Sequence, residues 1–273
     1  MKTRTPWHRR HGFGLIEVMI SIAISLVVIL AISGLYLSQR ATYNTQGALS
    51  RIQENARYLM QVLTRDVRLS GYRDINATAS FVTNAAGSKL FITGRNDTGL
   101  NGSDELTLQF FGASDTSGNA DGSITDCRGT AIGRDTLVTQ IYTVQLDATT
   151  NEPALFCDNG GAAGAVALVS GIESLQFLYA VDINSDGARF SYQPEGVADS
   201  SKATSLLISV VLRSTTGNEA KGLTAPVFNH FGDTYASGNV APASDPGSVF
   251  KPANDGRIRK HITFSVSLRN RLD

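Results

Sequence analysis

A single apolar run near the start limits what this chain can fold into. Residues 18–37 include no charged side chain, and the next charge is Arg40. A helix of this length rises about 30 Å, which matches the hydrocarbon core of a bilayer. The residues before the run carry no acid up to residue 12 and four basic side chains, those of Lys2, Arg4, Arg9 and Arg10. Because basic flanks stay in the cytoplasm, we expect one span with a cytoplasmic N-terminus and the remainder across the membrane.

Two ordinary membrane signals explain this run less well. A cleavable secretory signal has a shorter apolar part that ends in a small-residue cleavage site, and residues 36–39 offer no such site. A plain signal anchor accounts for the run but not for Glu17 at its edge. A carboxylate there is costly in lipid unless it meets a positive partner.

The residues around Glu17 resemble the processing motif of type IV prepilins, which reads Gly, Phe, any residue, Leu, Ile or Val, Glu. The matching residues are Gly12, Phe13, Gly14, Leu15, Ile16 and Glu17. The resemblance implies that a membrane peptidase cuts after Gly12 and methylates the new terminal amine of Phe13. It also implies that Glu17 docks subunits by pairing with a neighbour's terminal amine. Such a pair is physically reasonable, because each charge offsets the desolvation cost of the other.

An amphipathic pattern follows the apolar run. Apolar residues recur at steps of three and four, at Leu49, Ile52, Ala56, Leu59, Leu63 and Val67. We therefore expect the helix to continue, to pack this stripe on a head domain and to stop at Ser70 and Gly71. The predicted organisation is a leader at 1–12, a transmembrane and filament-core helix at 13–40, a periplasmic helix half at 41–71 and a β-rich head at 72–273.

The apolar period changes to two beyond residue 71. Five alternating segments predict strands of an antiparallel sheet, at residues 106–110, 138–144, 175–179, 208–212 and 262–268. Polar, Gly-rich loops at 112–133, 159–164 and 232–256 are expected to be exposed. The predicted fold class is α+β. The resemblance implies a type IV pilin-like form of it, with a long N-terminal helix packed on an antiparallel head.

Two further segments, residues 53–72 and the C-terminal end at 268–271, resemble the minor pilin family PilW. This implies a minor pilin that primes filament polymerisation, together with other minor pilins, at or near the pilus tip. The implied partners are the prepilin peptidase, other minor pilins, the major pilin and the inner-membrane assembly platform. A tip adhesin is a further candidate partner. The protein would stand in the inner membrane and then in the pilus at the cell surface.

Two other functions stay open from the sequence. A J-like pseudopilin of a type II secretion system shares the leader, helix and sheet, and gene context would separate the two. A tip module that binds surfaces or DNA through its loops is the other. Without residues 1–12 the chain holds 20 basic and 24 acidic side chains, so no general nucleic-acid surface is expected. A basic cluster is interpreted as a solvated strand entrance rather than a DNA contact: Arg257, Arg259, Lys260 and His261.

The only cysteines are Cys127 and Cys157, 30 positions apart. Two buried thiols are one interpretation. We predict a disulfide instead, because both residues lie in Gly-rich, polar surroundings of a chain that looks exported.

A calcium loop is one interpretation of residues 182–187, because Asp182, Asn184 and Asp186 place hard oxygen ligands at alternate positions before Gly187. Position twelve of such a loop would be Gln193 rather than Glu, and the remaining ligands would come from a backbone carbonyl, water or Glu195. A polar turn is the other interpretation, since Asp, Asn and Gly favour turns unaided. The sequence has no HExxH, GxSxG or phosphate-loop motif, and only His230 and His261 lie outside the leader. We therefore predict no enzyme.

Overall fold

The computed structural model of the chain describes residues 12, 14–81, 83, 91–182, 190–215, 217, 219, 220, 222 and 224–270. The chain divides into two compact units, Met1–Gly47 and Ala48–Asp273. Helix α1, Leu15–Leu69, contributes residues to both. It contains no proline, which is consistent with one uninterrupted helix.

In the second unit, α1 buries one stripe and then ends where the sequence predicts. Its buried positions are Ala48, Ile52, Ala56, Leu59, Leu63, Asp66 and Val67. Leu49, predicted for this stripe, is instead exposed, and Ala48 takes the buried position.

Gly71 follows the helix end with φ +76°, a conformation that glycine adopts without strain. A Cβ there would lie 2.6 Å from the carbonyl oxygen of Asn270. The side chain of Asn270 donates to the carbonyl oxygens of Arg68 (2.9 Å) and Ser70 (3.3 Å). The end of the helix is therefore tied to the C-terminal part of the head.

The strands of the described residues are β1 (Ile92–Arg95), β2 (Glu105–Phe111), β3 (Leu137–Leu146), β4 (Pro153–Asp158), β5 (Val166–Ser170), β6 (Ile172–Asp182), β7 (Phe190–Gln193), β8 (Ala203–Arg213), β9 (Phe228–Asn229), β10 (Val249–Phe250) and β11 (Arg259–Ser267). They form a five-stranded sheet in the order β1-β2-β3-β4-β5, a four-stranded sheet in the order β11-β8-β6-β7, and a two-stranded ribbon, β10-β9. All pairs are antiparallel. All five predicted strand segments are strands, so the α+β prediction is confirmed.

The strands form two main sheets, whereas the sequence predicted one antiparallel sheet. The chain passes from the first sheet to the second at Gly171. This residue has φ +82°, and an added Cβ would lie 2.7 Å from the carbonyl oxygen of Arg213. Its N–H donates to Pro153 O and its carbonyl oxygen accepts the N–H of Arg213. One glycine thus hydrogen-bonds to both sheets.

Parts of two loops that were expected to be exposed are buried. In 112–133, Ala113, Ile124 and Ile132 pack with Phe110 and Val138 in a small cluster of their own. In 232–256, Asp245 and Ser248 are fully buried. The main core joins α1 to both sheets through a single cluster of apolar side chains that includes Leu59, Leu108, Phe177 and Ile208. The head is therefore packed around one core.

Candidate functional site

The predicted processing and docking residues lie at the start of α1. Gly12 is exposed, and Phe13 lies outside the described residues. Glu17 stands in the first helical turn, where its Oε2 accepts a hydrogen bond from the N–H of Gly14 at 3.3 Å. An acidic side chain is favoured there, because the first backbone N–H groups of a helix have no partner within it. The carboxylate is exposed and forms no ion pair with any described residue. It can therefore accept a cation from another molecule.

Apolar side chains of the first unit are exposed on all sides of α1. Leu15 is 80% exposed and Leu30 is 72% exposed, and the most apolar window of the helix contains no buried residue. The helix is long and apolar enough to cross a membrane. An apolar surface of this extent is stable only when lipid or other protein covers it. Two hydroxyls inside the run, those of Ser21 and Ser25, donate to backbone carbonyls one turn earlier at 2.7 Å. They therefore add no unsatisfied donor to an apolar environment.

A buried polar contact fixes the second part of α1 to the head. Asp66 and Tyr142 are both fully buried, and the Tyr142 hydroxyl donates to the Asp66 carboxylate. Arg65 Nε donates to the other oxygen of Asp66 at 2.6 Å. Burial first, and then the neighbouring Asp66, raise the pKa of Tyr142 well above its usual value, so the hydroxyl keeps its proton. The local sequence pattern does not indicate this contact. Asp66 lies seven residues, or about two helical turns, after Leu59, so the helical period places it on the same buried stripe.

Cys127 and Cys157 form the predicted disulfide. Cys157 is fully buried in β4, and Cys127 belongs to the loop that follows β2. Beside the bond, Asn159 donates to Asp126 at 2.7 Å, and Asp126 also accepts two backbone N–H groups of its own loop. The bond and these contacts together attach the long loop to the first sheet.

Two members of the basic cluster, Arg257 and Arg259, belong to a largely buried ionic network and so do not form a solvated strand entrance. The six members of the network balance in charge: Arg213, Arg257, Arg259, Glu152, Glu173 and Asp255. The Arg259 side chain is only 2% exposed and binds Glu173 at 2.6 Å and Asp255 at 2.9 Å. Arg257 makes two bonds to Glu152, at 2.8 and 2.9 Å. Neither arginine is therefore available to a nucleic acid.

The two histidines of the head lie in a buried hydrogen-bonded group. His230 Nδ1 is 2.9 Å from Ser209 Oγ, and its Nε2 is 2.9 Å from Ser174 Oγ. His261 Nε2 is 2.7 Å from the same Ser209 hydroxyl. Burial, and then the neighbouring His261, lower the pKa of His230 to about 3. An imidazole with this pKa and no access to solvent is a poor general base at neutral pH, so the group is best explained by packing.

The calcium interpretation of residues 182–187 falls mostly outside the described residues, since Asn184, Asp186 and Gly187 are not among them. Asp182 ends β6, where it pairs with Phe190 of β7. Glu195 is engaged by Tyr179, and burial raises its pKa. Among the described residues, no three acidic, histidine or cysteine side chains are arranged as a metal cage. Calcium at this loop stays a prediction.

Two family models match separate parts of the chain. Residues 7–33 match the prokaryotic N-terminal methylation motif, and residues 141–270 match type IV pilus-assembly protein W. The second match begins within β3 and extends beyond β11. Residues 53–72, one of the two segments that resemble PilW, lie outside it, whereas residues 268–270 lie within it.

Similarity to individual proteins is partial. A pilin-like protein, PilA3 of Thermus thermophilus, is 40% identical over 70 residues, which are 25% of this chain and 29% of that protein. A solved type IV-like pilin of Thermus thermophilus overlaps with a TM-score of 0.44 at 14% identity, over 81% of this chain and 98% of that one.

The sequence matches agree with the described geometry. The methylation-motif match contains Glu17 and the start of the exposed apolar helix, and the second match covers most of the antiparallel head. Both matches are to pilus proteins or to the motif that pilins carry at the N-terminus. Residues 141–270 of the chain are therefore similar to the PilW family of type IV pilus-assembly proteins, and residues 7–33 match the N-terminal methylation motif.

Proposed function

We propose that this protein is a minor pilin that takes part in type IV pilus assembly, and that with other minor pilins it primes filament polymerisation at or near the tip. The observation that carries the proposal is the exposed apolar helix with Glu17 in its first turn. Such a helix can stand in the inner membrane and later pack among the helices of other subunits. The PilW-family match in the head supports the minor-pilin role over that of a plain membrane anchor.

The proposed partners follow from the same residues. The prepilin peptidase cuts after Gly12 and methylates Phe13, and the major pilin, other minor pilins and the assembly platform receive the helix. A tip adhesin is a further candidate partner of the head. The protein is inserted once in the inner membrane, with its N-terminus cytoplasmic and its head periplasmic, before it enters the pilus.

Processing is tested with Gly12→Ala. The wild-type protein isolated from membranes should begin at N-methylated Phe13, whereas the variant should keep its leader, because the peptidase requires glycine before the cut. N-terminal mass spectrometry measures both. An intact Met1 terminus on wild-type protein from cells with an active peptidase would contradict the proposal.

Docking is tested with Glu17→Ala. The variant should be inserted and processed, but it should cross-link poorly to other minor pilins and reduce piliation, because the neighbour's amine loses its counter-charge. Glu54→Ala is the matched control, since Glu54 is also an exposed helical carboxylate and its one ion pair with a described residue is with Arg57 of its own helix. Equal cross-linking by both variants would remove the docking role from Glu17.

The pilus and secretion roles are separated by deleting the gene. We expect pili and twitching motility to be lost and protein secretion to continue, with recovery of both pilus phenotypes when the wild-type chain is supplied. Loss of secretion with intact pili would instead assign the chain to a type II secretion system.

A further inference from the structure

Three aspartates, Asp97, Asp104 and Asp245, lie close together beside strand β6 of the second sheet. Asp104 accepts the N–H groups of Asp97 (3.0 Å) and Phe177 (2.8 Å). Asp97 accepts the N–H of Gly247 at 2.7 Å. Asp245, two residues before Gly247, accepts the hydroxyl of Tyr235 at 2.8 Å. The carboxylates come from two parts of the chain, residues 97–104 and residue 245, and lie close enough to interact electrostatically; we call this group the acidic pocket.

No positive side chain in the described part of the chain compensates the acidic pocket. Asp104 is 2% exposed and Asp245 is fully buried. Among the described residues, no Lys, Arg or His side chain faces any of the three aspartates. Burial raises the pKa of Asp104 to about 8 and that of Asp245 to about 6, and the remaining carboxylates add to both shifts. Buried carboxylates without a partner are costly, so the pocket favours a cation that could offset them.

A second, independent observation concerns oxygen atoms without a donor. Among the described residues, three buried side-chain oxygens of Asp245 and of two neighbours of Asp97 have no hydrogen-bond partner: Asn96 Oδ1, Gln176 Oε1 and Asp245 Oδ1. The amide nitrogen of Asn96 donates to Asp97 Oδ2 (2.8 Å) and Ser244 O (3.1 Å). Buried acceptors of this kind are rare and call for an explanation.

The amide of Gln176 lies against the same aspartates. Gln176 is fully buried, and its Nε2 donates to Gly102 O. A Cβ added to Gly247 would collide with Asp97 Oδ1, Gly102 O and Gln176 Nε2 together. The end of the Gln176 side chain is therefore a neighbour of Asp97, and only glycine fits at position 247.

We propose that this pocket binds a hard divalent cation of the calcium class, with Asp245, Asn96 and Gln176 as oxygen ligands and Asp97 and Asp104 as supporting negative charges. The ligands are one carboxylate and two amide oxygens, which is consistent with the absence of a cage of three acidic, histidine or cysteine side chains among the described residues. Calcium accepts carboxylate, amide and carbonyl oxygens in irregular geometry, whereas magnesium requires a tighter octahedral shell. The site is distinct from residues 182–187, and it does not depend on the proposed function.

Direct binding is tested with terbium(III), which replaces calcium and emits when a nearby tyrosine transfers excitation energy to it. The full chain in detergent should give terbium emission that calcium displaces and magnesium does not. Tyr235→Phe should remove most of the emission, because Tyr235 bonds directly to Asp245. Tyr192→Phe, at a half-exposed tyrosine of β7, is the matched control and should leave the emission unchanged.

The ligands are tested by thermal unfolding of the same preparation in calcium and in chelator. At ten times the dissociation constant, calcium should raise the melting temperature by about 3 °C. Asp245→Asn should abolish this rise. Asp182→Asn, which alters the loop predicted from the sequence, should preserve it.

Several results would overturn the proposal. The first is that wild-type protein gives no terbium emission that calcium displaces and melts at the same temperature in calcium and in chelator. The buried aspartates would then be neutralised by protonation rather than by a cation. Another is a calcium response that Asp182→Asn removes and Asp245→Asn retains. If Asp245→Asn does not fold, the comparison of wild-type protein with Tyr235→Phe in terbium decides between binding and no binding.

Discussion

At the scale of single residues, the head is notable for polar side chains that are buried and yet bonded. Asp66, Tyr142 and His230 are each at most 1% exposed, and each has a hydrogen-bond partner. A bonded polar group contributes modestly to stability, but the loss of its partner costs the full desolvation penalty. Substitutions that remove one partner are therefore more informative than those that remove both.

Tyr142→Phe should destabilise the head by about 1–3 kcal/mol, because the buried Asp66 carboxylate loses the hydroxyl that donates to it. Tyr192→Phe should change stability little, since the Tyr192 side chain is half exposed and makes no hydrogen bond among the described residues. Urea unfolding of both variants measures the difference. Equal effects would show that the Asp66 contact contributes nothing specific.

His230 should make the head less stable in acid. Its pKa is about 3 in the folded state and about 6.5 when the chain is unfolded, so only the unfolded chain takes up the proton between these values. The stability that neutral His230 provides is complete above pH 6.5 and declines as the pH falls toward 3, by at most about 1.4 kcal/mol per pH unit. The unfolding free energy of the wild type should therefore fall relative to that of His230→Asn between pH 7 and pH 4.5. Parallel pH profiles would contradict this assignment.

At the scale of elements, Gly171 marks the point where the chain passes from the first sheet to the second. It lies between β5 and β6, and its backbone bonds to Pro153 of one sheet and Arg213 of the other. Neither a larger side chain nor a longer connection is compatible with this close approach. The two sheets are consequently joined without a flexible linker.

Gly171→Ala should destabilise the head by more than the roughly 1 kcal/mol expected for a left-handed backbone position alone, since the new Cβ would also lie 2.7 Å from Arg213 O. Gly122→Ala is the matched control. It has φ +78° and no atom within 4 Å of its added Cβ. The difference in unfolding free energy between the two variants, measured in urea, gives the cost of the steric contact with Arg213. Equal losses of unfolding free energy would show that the neighbouring strand moves aside.

The sequence was informative where one pattern decides the structure and less so where distant segments meet. Alternation located β2, β3, β6, β8 and β11, and glycine after the stripe located the end of α1. The alternation does not show that the strands divide into two sheets, because the left-handed conformation of Gly171 at the connection is not visible in the sequence. The arginines before β11 look solvated in the sequence, but they are paired in the structure. Their partners Glu152 and Glu173 lie about a hundred residues away in the chain, so the local sequence does not show them. The Cys127–Cys157 disulfide was predicted because two cysteines in a chain that looks exported usually pair, whereas the docking role of Glu17 stays a proposal.

At the scale of the whole molecule, exposed apolar side chains are concentrated in one unit. Most of the large apolar residues with more than half of their surface exposed belong to residues 15–43. The second unit has its own core and carries only scattered exposed apolar residues. Scattered residues of this kind are normal for a water-soluble domain.

A chain that begins at Ala48 should therefore stay monomeric in buffer without detergent and keep the disulfide, whereas the full chain should require detergent or lipid. Size-exclusion chromatography with light scattering measures this, and mass spectrometry before and after reduction reports the Cys127–Cys157 bond. Aggregation of the shortened chain would show that residues 15–47 also cover part of the head.

The hydrogen bonds of Asn270 determine how the head can open. Chain ends usually fray first, and they do so independently of each other. Here the C-terminal residues cannot leave β8 without uncapping the last turn of α1, and that turn cannot unwind without losing Asn270. The amide protons of β11 and of the last turn of α1 should then exchange with solvent at a common rate, because the two segments open together as one cooperative unit.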